Sequence, residues 1–565
     1  MKLKGSEIIV ETLIEQGVDT VFGYPGGAVL DIYDALYMRS DRIRSVVTAH
    51  EQGAAHAADG YFRATGKVGV VIATSGPGAT NLVTGIATAM LDSVPMICIT
   101  GNVGTPLIGR DSFQEIDITG VTLPVTKHNY FANNIEELAA DIREAFQIAR
   151  SGRPGPVLID VPKDIQTTLY EWEKQDLLPL IEQRKASDEE IKEAAKLISE
   201  SKRPYFYVGG GSIGAGVEDM VQQAAEKVDG VIGCSLMGLS CVPTDNPRFL
   251  GMQGMHGHYA SSKAQDMADL VIAVGIRFSD RATGNKKRYK QNFKIVQLDV
   301  DFAEINKNIP VECGIYGDVN DAFRRIMDLV PAAKHPDWMK AVDQLKKEEK
   351  EQQDALEEEA KTMTPKEVVG IINRFTDKDT VIATDVGQHQ MWAAQYINFR
   401  KPRTWASSGG LGTMGYGLGA AIGCAIGSGH KTVLLTGDGS FGMNLNELAT
   451  AVSQNADVTI VIFDNNTLGM VRQWQTLFYQ KHYAGTTLNR KTDFVKLAEA
   501  FGLKGYRAVD KESFRRAFSA AYKTQGPALV DVMIDQNAFV LPMLPPGGSI
   551  DDIIVDIEEP EEADQ

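Results

Sequence analysis

Apolar residues along this chain fall in short unbroken runs, and stretches with helical spacing lie between them. A first set reads VGVVIAT (68–74), PMICIT (95–100) and PVLIDV (156–161). A second reads PYFYVGG (204–210), DLVIAVG (269–275) and FKIVQLDV (293–300). A third reads TVIATDV (380–386), KTVLLTGDG (431–439) and VTIVIFDNN (458–466). Runs that do not alternate with polar residues predict parallel strands covered on both faces. The pattern predicts three α/β domains with doubly wound, mostly parallel sheets, over residues 1–165, 190–332 and 362–545. Residues 546–565 follow as an acidic tail. SDEEIKEAAKLISESKRP (187–204) predicts a helix leading into the second block, and KKEEKEQQDALEEE (346–359) a solvated helical linker. Strand order is not legible. Ligands of such sheets bind beyond the carboxyl ends of the strands, where the Gly-rich segments fall.

Size supports the division, because one core stops growing at roughly 250–300 residues and this chain has 565. A net charge of −17 argues against binding nucleic-acid backbones. Eight of the last fifteen residues are acidic, which predicts a solvated tail. The five cysteines show no CxxC pairing and predict buried free thiols in a reducing compartment. With no apolar run of 18 residues and no signal-like start, the expectation is a cytoplasmic protein.

The most informative chemistry lies in residues 437–466. LLTGDGS and IVIFDNNTLGM each place polar ligand groups directly after an apolar strand. Asp438 offers a carboxylate oxygen, Asn465 an amide oxygen and Thr467 a backbone carbonyl. Such hard donors suit Mg²⁺ when phosphate oxygens complete the octahedron. Gly437 and Gly439 let a diphosphate approach the backbone, and a helix after GDGS presents free N–H groups. Either half alone is most simply a turn. Asn465 follows Gly437 by 28 residues, however, and no Lys follows the glycines as a P-loop requires. In the second block, GGGSIG (209–214) fits a dinucleotide turn, with Asp229 a candidate ribose acceptor, though a tight turn explains it equally well.

The joint GDG…NN spacing resembles the thiamine-diphosphate enzymes. HEQGAAHAADGYFRATG (50–66) and SGPGATN (75–81) resemble their pyrimidine-binding domain. The resemblance implies that Glu51 contacts N1′ of the aminopyrimidine and shuttles its proton. Shielding from water would raise the pKa of such a carboxyl. Pro25, Gly26, Thr74 and Asn81 match the same half of the site. Gln388, His389, Ser440, Gly469 and Met470 match the diphosphate half, and Met414 matches the residue wedged under the cofactor. In this superfamily two domains from different subunits share each cofactor, which implies a dimer or tetramer.

GRDSFQEIDITGVTLPVTKHNY (109–130), GMHGHYA (254–260), VGIRFSDRATG (274–284), LGMVRQWQTLFY (468–479) and VLPMLPPGG (540–548) narrow the resemblance to acetohydroxyacid (acetolactate) synthases over nearly the whole chain. It implies that pyruvate loses CO₂ and its two-carbon unit joins a second 2-keto acid, giving 2-acetolactate or 2-aceto-2-hydroxybutyrate. Trp474 matches the residue that shapes the second substrate's pocket, and Arg281 the one that engages its carboxylate. Phe113, Gln114, Lys163 and Met255 match channel positions. Biosynthetic members bind a structural FAD. The matching positions here are Arg153, Gly210, Gly211, Ser235, Leu236, Met237, His256, Gly275, Arg277, Asp299, Asp318 and Val319. Catabolic acetolactate synthases, which lack the flavin, and pyruvate oxidases are the alternatives. The family commonly pairs with a small regulatory subunit. Two departures bear on inhibitor sensitivity: Gly104 where many relatives have Pro, and Ser279 within the usual RFDDR.

Overall fold

The computed structural model describes residues 1–557, so the last eight positions of the expected acidic tail lie outside the described residues. Three six-stranded parallel sheets carry the fold. The first contains β1 (Thr20–Tyr24), β2 (Arg44–Val47), β3 (Gly69–Ala73), β4 (Met96–Asn102), β5 (His128–Phe131) and β6 (Pro156–Pro162). Its order is β2-β1-β3-β4-β6-β5. The second contains β7 (Pro204–Val208), β8 (Val231–Cys234), β9 (Phe249–Met252), β10 (Leu270–Val274), β11 (Lys294–Asp299) and β12 (Cys313–Tyr316), ordered β9-β8-β7-β10-β11-β12. The third contains β13 (Val381–Thr384), β14 (Trp405–Ala406), β15 (Thr432–Gly437), β16 (Val458–Asp464), β17 (Lys504–Ala508) and β18 (Ala528–Met533), ordered β14-β13-β15-β16-β18-β17. The outer sheets thus share one order. The middle sheet has the 3-2-1-4-5-6 order of dinucleotide-binding folds. A short antiparallel pair, Lys2–Lys4 with Leu169–Glu171, ties the start of the chain to the end of the first sheet.

The unbroken apolar runs are the central strands. Val70, Val71, Ile72, Ile97, Val157, Leu158 and Ile159 are fully buried in the first sheet, as are Leu434, Leu435, Ile460, Val461 and Ile462 in the third. Edge strands such as Arg44–Val47 and Lys504–Ala508 are only half covered, and no apolar run announces them.

Two expectations change. The charged stretch 346–359 is the second half of a single helix, Pro336–Glu359, whose first half buries Trp338, Val342 and Leu345. Even its charged half is anchored, since Glu349 accepts the Ala260 N–H at 2.7 Å. It is therefore a packed strut as much as a linker. The start of the acidic tail is not free either. Residues Met543 and Ile554 exchange backbone hydrogen bonds, and Asp551 and Asp552 pair with Lys263 and Arg288 of the central domain. Among the described residues, no helix is long and apolar enough to cross a membrane. All five cysteines are buried free thiols.

The first and third domains meet along two helices, Glu51–Thr65 and Gly417–Ser428. Their small residues allow near-contact of the backbones. A Cβ on Gly60 would run into the Ala420 carbonyl, and one on Gly423 into the Ala57 carbonyl. The small residues of HEQGAAHAADGYFRATG serve this helix packing.

Candidate active site

The strand order of the third sheet switches side between β13 and β15, and such a switch point opens a crevice at the strand ends. A pocket lies there. Gln388 and His389 follow β13, Gly437, Asp438, Gly439 and Ser440 follow β15, and Asn465 and Thr467 follow β16. Met414, Gly469 and Met470 complete the wall. The sequence separates these residues by up to 82 positions, and parallel strand pairing brings them to one edge.

Asp438 is 6% exposed, and its carboxyl is pushed up, first by burial and then by the neighbouring Asp464 carboxylate. Two acids at such a spot call for a cation. The Asn465 amide oxygen turns back to accept the Thr467 N–H at 3.1 Å, which holds the NN turn in shape. Among the described residues, no group of three or more His, Cys, Asp or Glu is arranged to hold a metal alone. A divalent cation bound at Asp438 and Asn465 would need ligands from outside the protein, such as phosphate oxygens or water. The one-turn helix Asp438–Phe441 is shorter than the sequence implies, ending at Gly442. Gly437 is required for a different reason than expected: a Cβ there would stand 2.9 Å from His389 Nδ1. His389 is neutral, because burial pushes its imidazole down to about 3. Its Nε2 and the Gln388 Oε1 are buried without a partner in this chain, so the pocket wall offers polar atoms to a ligand.

Glu51 sits elsewhere. It opens the helix Glu51–Thr65 after β2, capped by His50, whose Nδ1 accepts the Gln52 N–H at 3.0 Å. Asn81 donates to its carboxylate at 2.9 Å. Gly26 packs on Thr74, beside Pro25, at the β1/β3 switch point. Gln114, in a left-handed conformation, closes over Gly76, and Lys163 donates to the Gly27 carbonyl at 3.1 Å. Phe113 is 87% exposed. Glu51 is only half-buried, so the shielding expected of it is not supplied by one chain. Among the described residues, none of this group lines the Asp438 pocket.

A third group bridges the second and third domains. Trp474 lies on the helix Gly469–Phe478, whose first residues line the Asp438 pocket. The Arg281 guanidinium stands over the Trp474 ring, and its Nη1 lies 3.8 Å from the Met255 sulfur. The Met255 carbonyl accepts the Leu544 N–H at 2.7 Å, which brings in the VLPMLPPGG segment.

Comparison with known proteins agrees with this arrangement. The N-terminal thiamine pyrophosphate binding domain of thiamine pyrophosphate enzymes matches residues 3–121, their central domain 191–326 and their C-terminal thiamine pyrophosphate binding domain 385–532. A Methanocaldococcus jannaschii protein named "Probable acetolactate synthase large subunit" is 44% identical, covering 98% of this chain and 95% of its own. The Escherichia coli acetolactate synthase isozyme 2 large subunit is 42% identical over 97% of this chain and 98% of its own. A chloroplastic acetolactate synthase of Arabidopsis thaliana is 42% identical over 98% of this chain and 84% of its own. The chain belongs to the acetolactate synthase family. Its three domains match the three domains of thiamine pyrophosphate enzymes, and thiamine diphosphate is the cofactor of the two outer ones.

The residues expected to hold a flavin lie mostly on the middle sheet. Gly210 and Gly211 follow β7, Ser235, Leu236 and Met237 follow β8, Gly275 and Arg277 follow β10, Asp299 ends β11, and Asp318 and Val319 follow β12. All lie at one edge, around the β7/β10 switch point. The His256 ring is buried with Nε2 unpartnered and is pushed down to about 4 by burial and by Arg281. Arg153 reaches across from the first domain to Glu304 at 2.9 Å and to Asp301. The Asp318 carboxylate caps the helix Val319–Leu329 by accepting the Asp321 N–H. Asp229 is not a ribose acceptor. Its carboxylate is spent on Arg248, Lys334 and the His335 N–H, at the opposite end of the strand.

Three acids escaped the sequence reading. Asp464 stands beside Asp438. Asp385 accepts the N–H groups of Val386 and Gly415, which fixes the loop carrying Met414. Glu447 is fully buried against the turn before Glu51. Asp464 and Asp385 each follow an apolar strand directly, as the recognised ligands do, and that position was a usable signal. Glu447 carried none, because its partners are backbone groups almost 400 residues away.

Proposed function

We propose that this protein is an acetolactate synthase: it decarboxylates pyruvate and condenses the two-carbon unit with a second 2-keto acid. Pyruvate as second substrate gives 2-acetolactate, and 2-ketobutyrate gives 2-aceto-2-hydroxybutyrate. This is the first common step of branched-chain amino-acid synthesis. Full-length similarity to named synthases supports the activity. The observation that carries the residue-level reading is the Arg281–Trp474–Met255 cluster, seated on the helix that begins in the Asp438 pocket.

Bound thiamine diphosphate supplies the electron sink for loss of CO₂. Asp438, Asn465 and the Thr467 carbonyl would hold Mg²⁺ against its diphosphate. Gln388, His389, Gly437, Gly439, Ser440, Gly469, Met470 and Met414 line the same pocket and would hold the cofactor there. Glu51 holds and moves the proton at N1′ of the aminopyrimidine, with Asn81 orienting its carboxylate. Arg281 binds the carboxylate of the second keto acid through its planar fork of donors. Trp474 bounds that substrate's side chain. Gln114, Lys163 and Met255 line the approach and exclude water.

One chain holds two half-sites. Glu51 with its neighbours is one, and the Asp438 pocket is the other. Exposed apolar side chains flank both, Leu30, Phe113 and Leu123 on the first domain and Leu411, Met443 and Val471 on the third. A second copy covering these surfaces completes both sites, which supports a homodimer or a pair of dimers. The dinucleotide strand order, the unpartnered His256 nitrogen and the convergent flavin positions support FAD in a structural role. The "large subunit" in the relatives' names supports pairing with a small regulatory subunit. Buried free thiols suit a reducing compartment such as the cytoplasm.

The test supplies pyruvate alone and then with 2-ketobutyrate to the purified protein, with Mg²⁺ and thiamine diphosphate, and identifies the products with and without an electron acceptor. The expected result is acetolactate, then mainly acetohydroxybutyrate, neither needing the acceptor. Acetate that appears only with the acceptor would overturn the reading in favour of an oxidase. A yellow protein with a flavin spectrum checks the FAD assignment separately.

A further inference from the structure

Glu447 is a carboxylate with no exposed surface, at the contact between the first and third domains. It ends the short turn Leu445–Glu447, nine residues after Asp438 on the same loop. Its oxygens accept the His50 N–H at 2.9 Å, the Ala49 N–H at 3.2 Å and the Thr450 hydroxyl at 2.5 Å. The Thr450 hydroxyl in turn accepts the Ala49 N–H at 3.0 Å. Ala49 and His50 are the two residues directly before Glu51, and His50 caps its helix. Gly53, one turn into that helix, leaves the space the Glu447 carboxylate fills, where any Cβ would collide with it. A buried carboxylate costs more than an apolar side chain of the same size unless every lone pair is used. Here two of the three donors are the backbone N–H groups that lead into Glu51, and the third is the Thr450 hydroxyl. The carboxylate of Glu51 is held at its tip by Asn81, and the two residues before Glu51 are held through their backbone N–H groups by Glu447.

We propose that Glu447 is a positioning residue for Glu51: by holding the Ala49 and His50 N–H groups, it fixes where the activating carboxylate stands. The inference rests on the reading of Glu51 given above. It adds that the third domain of a chain, whose Asp438 loop serves one cofactor, sets the geometry of the carboxylate that serves another. A displacement of about 1 Å at such a group costs about a hundredfold in rate, so a clamp on two backbone donors is a sufficient lever.

The test uses Glu447→Gln in the full-length protein. The amide keeps the size and one acceptor but loses the other. Two readouts are taken. Amide hydrogen exchange at Ala49 and His50, measured without cofactor, is expected to quicken at least tenfold. Exchange of the cofactor's C2 hydrogen for deuterium, measured with thiamine diphosphate and Mg²⁺ bound, is expected to slow by about tenfold to a hundredfold, with the KM for pyruvate within about twofold of wild type. Thr450→Val, which removes one arm of the clamp, is expected to shift both in the same direction by less, and it serves if Glu447→Gln fails to fold. Wild-type C2 exchange in either folded variant overturns the proposal. Glu51→Gln is run alongside. If it too exchanges at the wild-type rate, the assignment of Glu51 fails, which is a different result from a failure at Glu447 alone.

Discussion

The guanidinium carbon of Arg281 lies 5.7 Å from the centroid of the Trp474 indole. The two residues come from different domains and are 193 positions apart. A cation over an indole face contributes about 0.5–2 kcal/mol, and here it also sets the plane of the guanidinium. Trp474 is itself braced edge-to-face by Phe478, with ring centroids 5.4 Å apart. One side chain meant for a carboxylate and one meant for an alkyl group are therefore held as a unit.

Arg281→Lys keeps the charge but loses the flat fork and the stacking surface. We expect the KM for the second keto acid to rise about tenfold or more, as loss of a charge-assisted hydrogen bond implies, while carbon dioxide release from the first pyruvate changes far less. Steady-state product formation compared with single-turnover CO₂ release separates the two. Equal losses in both would contradict the assignment.

Trp474→Leu removes the wall without removing the Arg. We expect 2-ketobutyrate and pyruvate to compete nearly equally in the variant. One methylene group in an apolar pocket is worth about 1–3 kcal/mol, or roughly 10–200-fold, and Trp474 is the side chain assigned to read it. The ratio of the two products from a mixed-substrate reaction reads the change directly.

How far the sequence reached depends on whether a residue's partners are local. The nine apolar runs are strands because each is buried on both faces, and burial of that kind shows in the run itself. Asp438 and Asn465 were legible because each directly follows such a run. Sheet order was not legible, since it depends on which strands pair, and so the switch points that gather Gln388, Asp438 and Asn465 into one pocket came from the structure alone. Asp229 misled for the same reason: the dinucleotide pattern supplied a plausible spacing, while Arg248 and Lys334 had already claimed the carboxylate. Asp551 and Asp552 are exposed, as a solvated tail implies, but their contacts with Lys263 and Arg288 were not legible, because those partners lie far away in sequence.

Asp438→Asn weakens the hold on Mg²⁺ without changing side-chain size. We expect the half-saturating concentrations of Mg²⁺ and thiamine diphosphate to rise together, by about tenfold or more, as loss of one charged ligand implies. Activity would return in part at high metal. Titration of cofactor fluorescence quenching against Mg²⁺ checks this. Unchanged metal dependence would remove Asp438 from the site.

Gly423→Ala tests the contact between the first and third domains. The new methyl group would strike the Ala57 carbonyl, and neither helix can yield without moving its neighbour. Overpacking of this kind costs about 1–3 kcal/mol. Because the helix that carries Ala57 begins with Glu51, cofactor-dependent activity is expected to fall further than the loss of stability alone explains. Thermal melts and activity measured on the same preparation give the comparison.

Asp160 provides a pH test away from the cofactor. It lies in β6 and is 1% exposed, with the Thr100 hydroxyl and the Asn102 amide each donating to it at 2.6 Å. Burial outweighs those bonds and pushes its carboxyl up to about 7. The folded state therefore binds this proton more tightly than the unfolded chain does, whose Asp titrates near 3.9. Stability from this group is complete below about pH 4 and declines as pH rises towards 7, the reverse of an ion-paired Asp. Asp160→Asn cannot lose a proton. Between pH 5 and pH 8, the melting temperature of the wild type relative to this variant is expected to be greatest at the acid end and to fall until it levels off above about pH 7. A flat difference across that range would mean that Asp160 is already ionised throughout, with its two donors outweighing burial.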